Sequence, residues 1–245
     1  MDVPNEDEPT ARTKLHHLGS WEDFQQLVTV FEDPSRKLWD EVWFRGQADA
    51  RWPLHSTLER RSTKIRAVAA YLNLIAEIKP AIETFTGSEF HMPSRKDVEE
   101  SCREYDRFEW VLREAITYMA HLRHGGFPSP LLDWTRSPYV AAYFAFSGAR
   151  HDGEVAIHAY QERPVNMKIG SSDASQIISF GPLIKTHKRH FRQQSRYTVC
   201  TRFHQGQWFF VPHHGVFEIR DHLRQDLLWK ITIPTSERRK ALEYF

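Results

Sequence analysis

The sequence predicts an α+β domain with most helices ahead of most strands. Between about residues 62 and 123 apolar side chains recur at helical spacing, whereas beyond residue 150 they fall in short β-branched and aromatic runs bounded by turn residues. The 245 residues, 40% of them hydrophobic, contain no long linker, internal repeat or low-complexity stretch, which suits one compact domain. Residues 1–18 are polar and are expected to be disordered, leaving 19–245 as a single α+β domain with a helical part at about 60–125 and a strand-rich part at about 130–235.

In "GSWEDFQQLVTVFED", Ser20 caps a helix over 21–31, with Asp23 placed to close the cap. "KLWDEVWFRGQ" reads as the first strand, and "ADARWPLHSTLERR" as a turn-rich connector in which Trp52, Leu54 and Leu58 pack back. A long helix is expected over 62–86, with Ile65, Val68, Ala69, Leu72, Ile75 and Ala76 on one face. "GSEFHMPSRKD" interrupts the pattern. A helix over 108–123 follows, with Phe108, Val111, Leu112, Ala115, Ile116 and Met119 inward and a stop at Gly125-Gly126. Both long helices are expected to be scaffolding. Ser137 and Pro138 supply the cap and first turn of another helix striped by Val140, Ala141, Phe144 and Ala145. Strands are expected in "GEVAIHAYQ", "SRYTVCTRF", "QWFFVP", "GVFEIR" and "LLWKITIP", and a strand or turn in "ASQIISFGPLI".

Formal net charge is +1, so no global basic field announces a nucleic-acid partner. Cys102 and Cys200 are the only cysteines, too few for a disulfide framework, and the fourteen histidines show no metal-site spacing. No metal is expected. No window approaches the ~20 apolar residues of a membrane span, and a cytoplasmic location is the expectation.

Arg45 ends a strand whose Val42, Trp43 and Phe44 belong in a core, and it stands beside Gly46. A fork of five donors at such a place suits a phosphate or a carboxylate, a structural ion pair being the alternative. Asp133 and Trp134 precede Thr-x-Ser-Pro, which reads equally as helix capping or as a site loop. In "KTHKRHFRQQSRY", Lys185, Lys188, Arg189, Arg192 and Arg196 alternate with His187, His190, Phe191 and Tyr197. That interleaving fits a solvated face or a nucleic-acid contact.

Three stretches in order, "WFRGQADARWPLHSTLERR", "MAHLRHGGFPSPLLDWTRSPYVAAYFAF" and "RHFRQQSRYTVC", resemble the FRG domain, named for the Phe-Arg-Gly that here is Phe44, Arg45 and Gly46. The resemblance spans roughly 39–201. It departs where the family has an arginine before Leu-Leu-Asp-Trp-Thr, since here Pro130 precedes Leu131. The same order of motifs is similar to the ADP-ribosyltransferase fold, a split β-sheet core, here with a helical subdomain inserted after the first strand. That resemblance implies NAD as co-substrate and catalytic roles for Arg45, Asp133, Thr135 and Gln193. It places Arg45, Gly46, Gln47, Trp134, Ser137, Tyr143 and Gln194 against NAD, with Ala142 and Phe144 or Ala145 in the helix of the second motif and Gln193 or Gln194 at the third. The implied activity is ADP-ribosylation of a protein or nucleic acid, the latter held through Lys185, Lys188, Arg189, Arg192 and Arg196, in a toxin or phage-defence effector. Glutamine supplies no charge to the sugar, so the alternative is a non-catalytic nucleotide- or nucleic-acid-binding regulatory module.

Overall fold

A computed structural model describes residues 10–32, 41–61, 65–105, 107–162, 174–181, 195–221 and 225–245. The fold is α+β, as expected. In chain order the described residues form β1 (Thr10–Ala11), β2 (Thr13–His17), α1 (Trp21–Glu32), β3 (Val42–Gln47), α2 (Thr57–Arg60), α3 (Val68–Thr86), α4 (Arg95–Ser101) and α5 (Phe108–His124). There follow β4 (Leu132–Trp134), α6 (Pro138–Gly148), β5 (Glu154–Gln161), β6 (Gln176–Phe180), β7 (Arg196–His204), β8 (Gln207–Phe210), α7 (His214–Phe217), β9 (Arg220–Asp221) and β10 (Leu227–Pro234). A 3₁₀ turn at Thr235–Glu237 leads into α8 (Arg238–Glu243).

Two four-stranded sheets form the centre. One runs β2-β10-β5-β3, with β10 parallel to β2 and antiparallel to β5. The other runs β4-β7-β6, with β8 also paired to β7. They meet where β3 passes β4: Phe44 N–H donates to Thr135 O at 2.7 Å and Thr135 N–H to Phe44 O at 2.8 Å. Strand alternation divides the side chains into layers. Val155, Ile157 and Ala159 face a cluster with Trp21 and Phe24 of α1 and Ala141, Ala142 and Ala145 of α6. Trp43, Tyr160 and Leu228 face inward to meet Leu132, Trp134 and Cys200 of the second sheet. The far side of that sheet, through Ile178, Tyr197 and Val199, packs on Leu72 and Ile75 of α3 and Leu112 and Met119 of α5. The helical segment between β3 and β4 thus covers the second sheet.

Several elements differ from the sequence expectations, each for a non-local reason. Residues 10–17, within the stretch expected to be disordered, form β1 and β2, because β10 offers an edge with which 13–17 pair in parallel register. The connector after β3 contains α2, nucleated by a capping box: Glu59 N–H donates to Ser56 Oγ at 3.3 Å and Ser56 N–H to Glu59 Oε2 at 2.6 Å. The interruption before α5 holds α4, capped by Ser94. "GVFEIR" is not one strand: His214–Phe217 is helical and only Arg220–Asp221 pairs, with β1. α3 starts at Val68, residues 62–64 lying outside those described. Leu132–Trp134, read as a loop, forms β4 because β7 offers it an antiparallel edge, whereas α1, α5, α6, β3, β5, β7, β8 and β10 stand where the sequence pattern puts them.

Candidate functional site

Where β3 and β4 part, Arg45 from the end of β3 reaches across to Asp133 of β4. Its Nη1 donates to the Asp133 carbonyl at 2.9 Å and to Asp133 Oδ1. Arg123, in the last turn of α5, donates through Nη2 to the same Oδ1. Both guanidiniums are largely buried, at 12% and 11% side-chain exposure, whereas the Asp133 side chain is 46% exposed. Burial opposes ionisation of Asp133, but Arg123 and Arg45 outweigh it and hold the carboxyl well below the usual carboxylate range. The Arg45 Nε is buried without a partner in the described structure. Arg60 of α2 stands near enough that, beyond its partial burial, Arg45 and Arg123 lower its pKa further. Three guanidiniums about one carboxylate leave local positive charge that an anion would neutralise.

Arg45, Arg123 and Asp133 border a cavity of about 220 Å³ that Thr135, Phe144 and Ser195, among others, also line. The expected convergence of Arg45 with the 133–137 loop is present. Thr135 is buried on the cavity wall, and its Oγ1 accepts from Ser137 N–H at 3.2 Å. Gly46 also borders the cavity, but its lack of a side chain serves packing: a Cβ there would lie 1.9 Å from the Ala141 carbonyl oxygen.

Other sequence candidates are used differently. Ser137 caps α6, accepting from Val140 N–H at 3.2 Å. Gln47 is buried and donates to the Pro53 carbonyl at 3.1 Å, so it fixes the loop after β3 instead of facing the cavity. Trp134 has a wall position but is buried, its indole N–H donating to Thr198 Oγ1 at 2.9 Å, so no face is open for stacking. Tyr143 is exposed away from the cavity beside Phe245 at 5.7 Å, and its neighbour Phe144, 50% exposed, is the ring on the wall. Ala142 and Ala145 pack in the core beneath α6.

Gln193, Gln194, Lys185, Lys188, Arg189 and Arg192 lie outside the described residues; Ser195, next in the chain after Gln194, is on the cavity wall. Arg196 is not presented to solvent. Its guanidinium covers the Trp43 ring at 4.2 Å and lies 3.9 Å from Glu162. α5, expected to be scaffolding with few site-like groups, packs through its apolar stripe and brings one such group, Arg123, to the cavity from its last turn. A basic residue near a helix C-terminus reads locally as a complement to the helix dipole, and only the fold brings it to Asp133.

Behind Arg45, His158 of β5 occupies the paired position on the same face, with Lys230 of β10 on its other side. Burial, then Lys230 and Arg45, push His158 down from 6.5 to about 3. As pH falls below 6.5 the unfolded chain binds a proton that folded His158 refuses until about pH 3. This residue therefore removes about 1.4 kcal/mol of stability per pH unit across that window, and nothing above it. Urea unfolding of wild type and His158→Gln between pH 7 and pH 4.5 should show the shallower slope in the variant. Parallel profiles would contradict a neutral buried imidazole.

The FRG domain family model matches residues 40–154, which run from before β3 through the helical segment, β4 and α6 to the first residue of β5. The third motif of the sequence resemblance lies beyond that match. No curated protein and no solved structure matches the chain. No helix among the described residues is long and apolar enough to cross a membrane, and no described group of His, Cys, Asp or Glu could hold a metal ion.

Proposed function

We propose that this chain is an NAD-dependent ADP-ribosyltransferase acting on a macromolecule. The observation that carries the reading is the state of Asp133. Both guanidiniums converge on Oδ1, and no described residue is bonded to Oδ2 of this half-exposed, ionised carboxylate at the cavity wall. In ADP-ribosyl transfer the bond between ribose C1′ and the nicotinamide nitrogen breaks, its electron pair leaves with neutral nicotinamide, and an acceptor nucleophile bonds to C1′ and gives up its proton. Positive charge gathers on the sugar meanwhile, and a fixed carboxylate oxygen is suited to face it.

The residues present fit NAD in part. Arg45 and Arg123 offer donors to a diphosphate, and Phe144 offers a ring to a flat leaving group. A cavity of about 220 Å³ takes one end of a dinucleotide, leaving the remainder over the open rim. Gln193 or Gln194, which the resemblance sets at the third motif, would orient a hydroxyl without supplying charge. Asp133 meets the need for charge that glutamine leaves.

A second reading, a nucleotide- or nucleic-acid-binding module without turnover, is favoured by the same clamp, since a carboxylate held by two guanidiniums is a poor proton acceptor. Incubation with labelled NAD and a mixed lysate, scoring protein and nucleic acid separately, decides between them. Label in either class, reduced about 100-fold or more in Asp133→Asn with NAD affinity little changed, is the expected result. NAD binding without label transfer or nicotinamide release in the wild type selects the binding module.

A further inference from the structure

We propose that the cleft between loop 48–56 and the inward face of the β2-β10-β5-β3 sheet is a second ligand site, which takes a nucleotide unit with its base on Trp52 and its phosphate on Lys230. The cleft encloses about 500 Å³, and Trp52, Leu54, His158, Phe217, Leu228 and Lys230 are on its walls. That is within the ~300–1,000 Å³ of small-molecule sites, and Thr13, Arg51, His214 and Glu218 also line the cleft.

Trp52 is 51% exposed, yet its loop is locked. Arg51 forks onto Asp49, with Nε to Oδ1 at 3.0 Å and Nη2 to Oδ2 at 2.7 Å. Trp52 N–H donates to Asp49 O at 3.1 Å, Ala50 N–H to Glu154 O at 2.8 Å, and Gln47 Nε2 holds Pro53 O at 3.1 Å. A large ring held outward on a rigid loop loses little freedom when a flat partner stacks on it, which is the economy of an aromatic recognition residue.

The polar groups sit opposite. Across β10, β5 and β3, Lys230, His158 and Arg45 are register neighbours on one face of the sheet. Lys230 and Arg45 are therefore two strand spacings apart, roughly 10 Å, with the imidazole between them. His158 is buried, and its Nδ1 has no hydrogen-bond partner among the described residues. A neutral imidazole offers one donor and one acceptor, which suits a base edge. Lys230 makes no ion pair among the described residues and supplies the cation for a phosphate. Flat ring, edge contact and point charge together specify a base with a phosphate more closely than either an apolar or an anionic ligand. The Arg45 cavity and this cleft share no lining residue, so the cleft is a separate site, and the inference does not depend on NAD chemistry there.

Calorimetric titration of the full chain with adenosine 5′-monophosphate, adenosine and a short single-stranded oligoadenylate tests the proposal. Trp52→Ala should weaken the monophosphate and adenosine by about 10- to 100-fold, with Trp52→Phe recovering most of the loss. Lys230→Gln should weaken the monophosphate and leave adenosine unchanged. Arg45→Ala, which tests the ADP-ribosyl reading, should leave monophosphate affinity in this cleft unchanged. Binding of the oligonucleotide but not the monophosphate assigns the nucleotide unit to a strand, and binding of both assigns it to free nucleotide and strand alike. Failure of both to bind at millimolar concentration, equal affinity in wild type and Trp52→Ala, or loss of binding in Arg45→Ala alone each overturns the site.

Discussion

Arg45→Ala should abolish NAD turnover while the chain stays folded. The variant removes both donations from Nη1 to Asp133 and the guanidinium that the proposed activity sets against a diphosphate. Losing such a charge-assisted clamp in a sheltered site costs about 2–4 kcal/mol of transition-state binding, or roughly 30- to 1,000-fold in kcat/KM. Folding should survive, because Asp133 keeps Arg123 and nearly half of its side chain meets water, so no carboxylate is left buried and unpaired. Arg45→Lys should be almost as damaging, since an ammonium is a point charge and cannot serve the carbonyl, the carboxylate and a phosphate in the plane that a guanidinium does. The measurements are nicotinamide release and far-UV circular dichroism on the same preparations. An Arg45→Ala chain that fails to fold, beside an Arg45→Lys chain with full activity, would make Arg45 a structural ion-pair partner.

Gly46→Ala should be the most destabilising alanine substitution among the described glycines. An added Cβ would stand 1.9 Å from the Ala141 oxygen, 2.8 Å from Ala145 N and 3.0 Å from Ala141 C, all backbone atoms of α6. No side chain can rotate away, so the helix has to move off the strand, and a cost of about 3 kcal/mol, at the upper end of ordinary overpacking, is expected. Ala141 and Phe144 of that helix border the cavity, so activity in the folded fraction should fall as well. Urea unfolding gives the first quantity and specific activity the second. A variant as stable as wild type would mean that α6 does not press on β3 as closely as described.

Local chemistry was legible in the sequence. The Ser137 cap with its N1 proline, the Ser20 start of α1, the apolar stripe of α5 and the alternation in β5 and β10 are each complete within a dozen residues, because capping and amphipathic periodicity need no distant partner. The resemblance of the motifs pointed to Arg45 and the 133–135 loop as one site, and they meet. What remained hidden depended on distant chain. β2 looked like a polar tail because half of what makes it a strand is the edge of β10, more than two hundred residues away. "GVFEIR" has strand composition, yet of its residues only Arg220 pairs, together with Asp221 beyond it, on the edge of β1. The resemblance set Gly46 against NAD, whereas the helix that excludes its side chain begins some ninety residues later. Arg123 carried the signature of an ordinary helix terminus, and its role follows from α5 ending beside β4, where its charge and that of Arg45 meet on one carboxylate oxygen. Propensity and capping energies are local and are written in neighbouring residues; charge pairing and close backbone approach are set by distance in space, which only the packed sheets and helices determine.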